Sequence, residues 1–356
     1  MIIEVNDYKG ILCNHLEIDD WQAVEIILAV IAAHKYRGEM VWVRVIGAAG
    51  SGKTEILRSV AAVRELKGFK DYVDTIESLT PASIRRGHKN ENQPLLERID
   101  GKLVITKELA PLLTRDKESK LEIFGLLRSV KDGELDADYG SDEGHIRQKS
   151  HFDWILASTC YIDRQAQLDS LLGPRFIDLR WGRPLDRLKA IGMAMEKVEG
   201  KPSIRKKLSE AIGRILDALP NTINDPPVTE WELRLVDLIS NLRTPVQRDG
   251  RDKELVALPE PELGTRIGES FQRIKKGLVA IGVEDCTPYL IRLAWDSIPK
   301  MRADILREAM NGNKSEREIA SSVGYSQPTI HYVHEDLKLL KFDRLKDFET
   351  LKGGLS

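Results

Sequence analysis

The fold is decided by the stretch Gly47-Ala48-Ala49-Gly50-Ser51-Gly52-Lys53-Thr54. Its spacing is G-x-x-x-x-G-K-[ST], in which the glycines let successive backbone N–H groups converge on phosphate oxygens at the start of a helix. The preceding residues, Val41 to Ile46, are apolar and β-branched, which is typical of a short buried strand. A helical pattern follows from Thr54 to Leu66. We therefore predict a nucleotide phosphate-binding loop between a strand and a helix.

Each residue type in this loop has a defined chemical task. We predict that Gly47, Gly50, Ser51 and Gly52 cradle the phosphates. The Lys53 ammonium would neutralise the β- and γ-phosphates, and the Thr54 hydroxyl would ligate Mg²⁺. The expected cofactors are thus ATP and Mg²⁺. The alternative is a glycine turn that contains Gly-Lys-Thr by chance, which the strand–loop–helix context disfavours.

The remaining strand candidates indicate an α/β fold with a parallel sheet. They are Asp71 to Ile76, Leu103 to Thr106 and Ile155 to Ser158, with helical patterns between them. Strands that alternate with helices favour a parallel sheet covered on both faces. The strand signals fade beyond Arg180, and amphipathic helical stretches with proline-rich breaks follow. We predict a nucleotide-binding core over residues 1–182, a helical lid over 183–299 and a small helical module over 300–356.

Composition limits the classes of partner. The 356 residues include 54 Lys and Arg and 56 Asp and Glu, a formal net charge of −2, which excludes a polybasic protein. Cys13, Cys160 and Cys286 lie far apart, so neither a disulfide framework nor a zinc site is expected. The apolar runs are too short to span a bilayer, and no export signal is present. We expect a cytoplasmic protein with no membrane partner.

Glu108 is the candidate for the acidic group that an ATPase needs beside its phosphate loop. It follows the strand candidate Leu103 to Thr106, at the position where a carboxylate can hold Mg²⁺ or polarise the attacking water. Lys107 occupies the position where an aspartate is usual, which puts hydrolysis in more doubt than binding. The alternative is that Glu108 only opens the next helix.

With these residues placed, the chain resembles the AAA+ ATPases over residues 40–299. Phe152–Thr159 resembles the strand whose last polar residue senses the γ-phosphate, which implies that role for Thr159, although Cys160 is atypical there. Leu168–Phe176 resembles the segment that presents an arginine finger to the neighbouring subunit. The resemblance therefore implies that Arg175 acts across a homo-oligomer, a ring (for example a hexamer) or a filament. The alternative for Arg175 is a surface ion pair.

The same resemblance extends to the lid and to one hairpin. Arg266 matches the second sensor arginine at the start of a lid helix, or it is simply a solvent-facing arginine. Asp132–Ser150 occupies the position of the DNA-gripping β-hairpin of minichromosome-maintenance-type helicases, with Gly140–Gly144 as its tip. That tip is acidic and would repel phosphate, whereas Arg147 and Lys149 on the returning arm could contact DNA. The segment fits mobile-element ATPases better, and it could also be a solvated loop.

The C-terminal residues read as a helix-turn-helix that resembles the DNA-reading modules of winged-helix proteins. Ser315 to Glu318 forms a capping box, and Gly324-Tyr325-Ser326 makes the turn into a further helix. Gln327, Thr329 and His331 would face a major groove. Residues 301–356 contain nine basic and nine acidic residues, so the module has no basic field. Contacts with another protein are therefore the alternative.

Together these features predict an oligomeric ATPase that uses ATP and Mg²⁺ to act on DNA or on a DNA-bound complex, with helicase-like or translocase-like activity. A replication or mobile-element protein is the corresponding protein partner. Two alternatives stay open. One is a helicase loader or protein remodeller, and the other is a DNA-binding switch that holds ATP with little hydrolysis.

Overall fold

Five parallel strands form the central sheet in the order β2-β3-β6-β1-β7. The computed structural model describes residues 2–86, 94–139, 144–165, 175–182, 186–196, 200–250, 253–312 and 314–353. The sheet strands are β1 (Trp42–Ile46), β2 (Val73–Thr75), β3 (Leu103–Thr106), β6 (Asp153–Ser158) and β7 (Ile177–Arg180). The predicted α/β class with a parallel sheet is thereby confirmed.

Four of these strands lie where the sequence predicts them, and the fifth, β7, escaped prediction. Its sequence, IDLR, places two charged residues in four, which is unlike a buried strand. The reason it is nevertheless buried is an ion pair between neighbouring strands. Arg44 on β1 donates from Nε and Nη2 to the two Asp178 carboxylate oxygens on β7, at 2.8 and 3.0 Å. A paired, hydrogen-bonded charge tolerates burial, whereas an isolated charge does not.

Unit 1 holds the sheet and several helices, and every residue of β1, β3 and β6 is buried, so both faces of these strands are covered. The bounds of the helices are α1 (Ile2–Cys13), α2 (Trp21–Ala33), α3 (Lys53–Ala61), α4 (Pro81–Arg86), α5 (Leu95–Ile99), α6 (Ala110–Leu113), α7 (Lys117–Lys131), α8 (Arg187–Glu196) and α9 (Lys201–Ala218). Helices α4–α7 contribute to one apolar core, which includes Trp42, Trp154 and Phe176 from the sheet region. Helix α3, which begins in the phosphate loop, packs against β2, β3 and β6. The phosphate loop is therefore anchored at both ends in buried structure.

A β-hairpin precedes β6, as the sequence predicts. Strands β4 (Glu134–Tyr139) and β5 (Gly144–Lys149) pair in antiparallel register, with Glu134 opposite Lys149. Four residues of its predicted tip, at positions 140–143, lie outside the described residues.

The chain divides into two units with boundaries of their own. Unit 1 comprises Met1–Pro226 and Gln272–Cys286, and unit 2 comprises Pro227–Phe271 and Thr287–Ser356. The remaining helices are α10 (Glu230–Arg243), α11 (Thr265–Ala280), α12 (Thr287–Ser297), α13 (Lys300–Met310), α14 (Glu316–Val323), α15 (Gln327–Leu339) and α16 (Arg344–Lys352). The boundaries predicted at residues 182 and 299, between the core, the lid and the C-terminal module, stay predictions.

The returning segment Gln272–Cys286 completes unit 1 through close contacts. The Arg273 guanidinium donates to the Glu39 and Ala33 carbonyl oxygens, each at 3.0 Å, and to the Asp153 carboxylate at 3.2 Å. A Cβ added to Gly277 would lie 1.9 Å from the Ala29 carbonyl oxygen of α2. Only glycine fits at so close an approach of a helix to another backbone.

Unit 2 is mainly helical in its described residues, with one isolated antiparallel β-bridge between Arg248 and Leu255. Trp231 of α10 donates its indole N–H to the Thr350 carbonyl oxygen of α16 at 2.9 Å. The predicted capping box at Ser315 and Glu318 is present, and Gly324 ends α14 in the left-handed region with φ of 75°. In residues 327–353, helix α16 follows α15 directly. No helix within the described ranges combines the length and apolarity that crossing a bilayer requires.

Candidate nucleotide-binding site

The glycine-rich loop leaves β1 at the carboxyl edge of the sheet and turns directly into α3. Gly47 donates its backbone N–H to the Ser158 carbonyl oxygen at 3.1 Å, which fixes the start of the loop beside β6. Gly50 and Gly52 have φ of 73° and 90°, in the region that favours glycine. The N-cap of α3 is Gly52, which has no side chain to accept from the N–H groups of the first turn. Its helix therefore presents first-turn N–H groups that suit an anion.

Lys53 is the buried cation of this loop. It is 2% exposed, and its Nζ donates to the Ala48 carbonyl oxygen at 2.9 Å, across the loop. Burial lowers the pKa of Lys53 from its usual value, while the charges of Glu108 and Cys160 act in the opposite direction. Glu108 and Cys160 therefore each lie within electrostatic range of Lys53, although the three residues come from separate segments.

Glu108 follows β3 at the same edge. Its carboxylate accepts from the Ala110 N–H at 3.2 Å, so it does contact the start of α6, as the structural alternative expects. Lys107 turns away to Glu77, with 2.5 Å between Nζ and Oε1. Strand β6 separates β3 from β1, so their carboxyl ends are about 10 Å apart at the usual strand spacing. A γ-phosphate and a water molecule fit a gap of this width.

Thr159 follows β6, the strand between those two. Ser158, immediately before it, pairs with Ile46 in the β1–β6 register. Leu109 donates its N–H to the Ala157 carbonyl oxygen at 2.9 Å, which draws the segment after β3 toward β6. The sheet order thus gathers Lys53, Glu108 and Thr159 at one edge.

The donor chemistry of this edge fits a nucleoside triphosphate with Mg²⁺. Ser51 Oγ is buried and has no hydrogen-bond partner within the described part of the chain. No group of three or more His, Cys, Asp or Glu side chains in the described ranges is arranged to hold a metal ion. A Mg²⁺ ion at this edge would accordingly take most of its ligands from phosphates and water, with Thr54 and Glu108 supplying oxygen atoms, as this ion commonly does.

Arg175 is not brought to this edge. It lies two residues before β7, so about 16 Å of extended chain separate it from the carboxyl end of that strand. Its side chain is buried, and Nη2 pairs with Asp132 Oδ2 at 2.9 Å. Arg175 therefore cannot contact the phosphate loop of its own chain. The preceding residues of the finger-like segment, 168–174, lie outside the described residues.

Arg266 belongs to unit 2, on the first turn of α11. It is part-exposed, and its Nη1 lies 3.4 Å from Glu262 Oε1, one helical turn earlier. The sensor role predicted for it therefore stays a prediction.

The candidate DNA-binding residues of the hairpin are partly neutralised within the hairpin itself. Arg147 pairs with Glu134 and lies 3.9 Å from Asp136, and Lys149 lies 4.0 Å from Glu134. The hydrogen bond to Glu134 raises the pKa of Arg147. Both basic side chains are nonetheless exposed, so they remain accessible to a partner.

In the C-terminal module, the predicted DNA-reading side chains are mostly engaged locally. The Thr329 and Ser326 hydroxyls lie 2.8 Å apart, and Ser326 also caps α15. His331 Nδ1 lies 3.3 Å from the Glu316 carboxylate on α14. Gln327 is exposed at the start of α15. Of these three candidates, Gln327 and His331 are exposed, and Thr329 is half-buried.

Sequence reasoning missed two features at the phosphate edge. Arg180, at the end of β7, makes a two-pronged ion pair with Asp163 at 3.0 and 2.7 Å. Trp181, the next residue, donates its indole N–H to the Ser51 carbonyl oxygen at 2.8 Å. The tryptophan lies 130 positions from its partner, and no local pattern announces such a contact.

Comparison with known proteins identifies no family for this chain. The chain matches no protein-family model, and no curated protein sequence is significantly similar to it. The functional assignment therefore depends on the loop, the residues gathered beside it and the motif resemblance.

Proposed function

We propose that this chain is an AAA+-like ATPase that binds ATP with Mg²⁺ at the carboxyl edge of its sheet. The observation that carries the proposal is the position of Lys53 and Glu108, on opposite sides of β6, with Thr159 following β6 between them. A phosphate loop with a buried lysine supplies positive charge for the phosphates, and a carboxylate one strand away can orient water. The AAA+ assignment further draws on the motif resemblance and on Arg175.

In the proposed reaction, water attacks the γ-phosphate in line with the departing ADP oxygen. The Glu108 carboxylate accepts the water proton, and Lys53 stabilises the charge that develops on the phosphate oxygens. The Thr159 hydroxyl donates a hydrogen bond to the γ-phosphate. Arg266 would be the second sensor arginine that the resemblance implies.

The decisive test is ATP binding and hydrolysis by the full chain. Lys53→Ala should abolish detectable ATP binding, because it removes the buried cation of the loop. The matched control is Lys70→Ala, at an exposed lysine in the same unit, which should bind as wild type does. Equal binding by wild type and Lys53→Ala would contradict the proposal.

We further propose that Arg175 acts on the nucleotide of a neighbouring subunit, since it cannot contact its own loop. This role requires the ion pair with Asp132 to open when subunits assemble. Arg175→Ala should then lower turnover and leave ATP binding unchanged. Asp132→Asn breaks the same ion pair but keeps the guanidinium, so it should retain turnover. Loss of turnover in both variants would indicate a purely structural pair.

The proposed substrate is DNA or a DNA-bound complex, supported by the α14–α15 pair and by the exposed Arg147 and Lys149. ATPase rates with and without DNA, measured together with molecular mass by light scattering, separate the alternatives. Strong stimulation by DNA supports a translocase. Turnover without stimulation favours a loader or remodeller, and an assembled, ATP-bound protein with no turnover favours the switch.

A further inference from the structure

Trp181 contacts the phosphate loop at its start and again at Ser51. Its backbone N–H donates to the Ile46 carbonyl oxygen at 2.7 Å, which continues the β1–β7 pairing by one residue. Its indole Nε1 donates to the Ser51 carbonyl oxygen at 2.8 Å. A Cβ added to Gly47 would lie 2.9 Å from the Trp181 Cβ, so the two backbones are in close contact there. The side chain is 6% exposed, and this hydrogen bond is therefore shielded from water.

The bond to Ser51 has a consequence for the neighbouring amide. A trans peptide group is planar, with its C=O and N–H pointing in opposite directions. When the indole holds the Ser51 carbonyl, it also directs the Gly52 N–H away from Trp181. Gly52 is the N-cap of α3, with φ of 90°, and the backbone freedom of glycine would otherwise allow this peptide group other orientations. The tryptophan thus selects one orientation of an amide at the phosphate-binding end of the helix.

The residues on either side of Trp181 are held in place by hydrogen bonds of their own. Arg180 is held by Asp163 in the turn after β6. Gly182 donates its N–H to Asp20 Oδ2 at 2.9 Å, and Asp20 also caps α2 through its other oxygen. A Cβ on Gly182 would lie 2.9 Å from Asp20 Oδ2. Arg180 is thus bound to the segment after β6, Trp181 to the phosphate loop and Gly182 to Asp20 before α2.

We propose that Trp181 is a positioning residue for the phosphate loop, and that its indole N–H sets the affinity for the phosphates of a nucleoside triphosphate. The inference depends on the proposed nucleotide binding and adds a determinant of affinity to that site. Trp181 acts through Ser51 and Gly52 and takes no part in the chemical step.

The test compares two tryptophan-to-phenylalanine variants. Trp181→Phe keeps an aromatic ring and removes the N–H, so ATP should bind about tenfold more weakly, equivalent to roughly 1.4 kcal/mol. Its kcat at saturating ATP should stay within about twofold of wild type. The matched control is Trp42→Phe. Trp42 lies on β1, and its indole N–H also donates to a backbone carbonyl oxygen, that of Phe152, at 3.1 Å. Trp42→Phe should lower the melting temperature without changing the Kd for ATP.

A second variant keeps the proposal testable if Trp181→Phe does not fold. Gly182→Ala would push the segment away from Asp20 and leave both the indole and the loop intact, and it should weaken ATP binding severalfold. Unchanged Kd in a folded Trp181→Phe protein would overturn the inference. A kcat that falls as much as the affinity, or a Trp42→Phe protein with the same loss of affinity, would also overturn it. Failure of wild type to bind ATP is a different result, which would contradict the proposed function and remove the inference with it.

Discussion

The phosphate-loop edge of unit 1 and the α14–α15 pair of unit 2 use their polar side chains in opposite ways. At the loop, Lys53 makes its one described hydrogen bond to a loop carbonyl, and the buried Ser51 hydroxyl has no partner within the described residues. In the helix pair, Thr329 and His331 are engaged by residues of the same module.

This difference indicates where a ligand is needed. Buried polar groups normally have hydrogen-bond partners, so groups left without one suggest that a ligand completes them. Polar groups already paired on a helix surface mainly hold the helices together. The contrast supports nucleotide binding more strongly than sequence-specific DNA reading, and the following predictions test it in order of expected effect.

At the phosphate-loop edge, Glu108→Gln should have the largest effect of these substitutions, and the effect should be on kcat. Removing the carboxylate that we propose as the acceptor of the water proton should reduce kcat by about 10³-fold, within the range typical of a general base. ATP binding should persist, measured with a fluorescent ATP analogue. Glu118→Gln, at an exposed glutamate that opens α7, is the control and should keep full turnover. Undiminished turnover in Glu108→Gln would assign the proton acceptor elsewhere.

Arg302→Leu should produce the largest change in unit 2, and the change should be in stability. Its guanidinium donates to the Leu242 and Thr244 carbonyl oxygens, and burial lowers its pKa to about 10. Leaving two buried carbonyls unpaired should cost about 3 kcal/mol of unfolding free energy. Urea denaturation followed by circular dichroism measures it, with the exposed Arg317→Ala as control. A marked change in the Kd for ATP would contradict the separation of roles.

Acid should destabilise unit 1 through Asp153, which lies at the amino end of the strand that leads to Thr159. Burial alone would raise the pKa of Asp153, but the hydrogen bond from His34 and the charge of Arg273 outweigh burial and lower it. Because the folded pKa lies below the unfolded one, the stabilisation is complete above about pH 4 and is lost as the pH falls through the folded value.

Melting temperatures between pH 3 and pH 6 measure this effect. Asp153→Asn should be less stable at pH 6 and should show a flatter profile below pH 4. Asp217→Asn, at an exposed position on α9, should follow wild type. Tyr72 also faces the cluster, but its pKa is raised by burial, so it stays neutral throughout this window.

Ser315→Ala should have the smallest effect, in the helix pair. Loss of the side-chain cap on α14 should reduce stability by about 1 kcal/mol. The same change should leave ATP turnover in the absence of DNA unaltered. A loss of turnover without DNA would show that the capping box contributes to the nucleotide site, which would weaken the comparison.

Local signals predicted most of the sheet and the loop. Apolar, β-branched runs located β1, β3 and β6, and the glycine spacing located the phosphate loop, because both depend on residues close together in sequence. Strand β7 was missed, since its burial depends on a charge partner on β1. The sequence around Asp178 carries no signal of a buried strand, because its carboxylate is compensated by Arg44, a residue far away in the sequence.

The site was predicted in part for the same reason. Lys53, Glu108 and Thr159 follow strand candidates, so the meeting of strand ends at one edge was foreseeable. The Trp181–Ser51 contact and the Arg180–Asp163 pair were not, because they connect distant segments. Sequence spacing also could not reveal that Arg175 is buried against Asp132.

Unit 1 consists of two separate sequence segments, Met1–Pro226 and Gln272–Cys286, and this affects the order in which the chain folds. During synthesis, the ribosome completes the whole sheet before residue 181. The Arg273 guanidinium, which pairs with Asp153 as His34 also does, is made some ninety residues later. Domains generally fold as units once their residues have emerged. The nascent sheet therefore lacks the cationic partner of Asp153 until the segment Gln272–Cys286, which follows the first part of unit 2 in the sequence, has been synthesised.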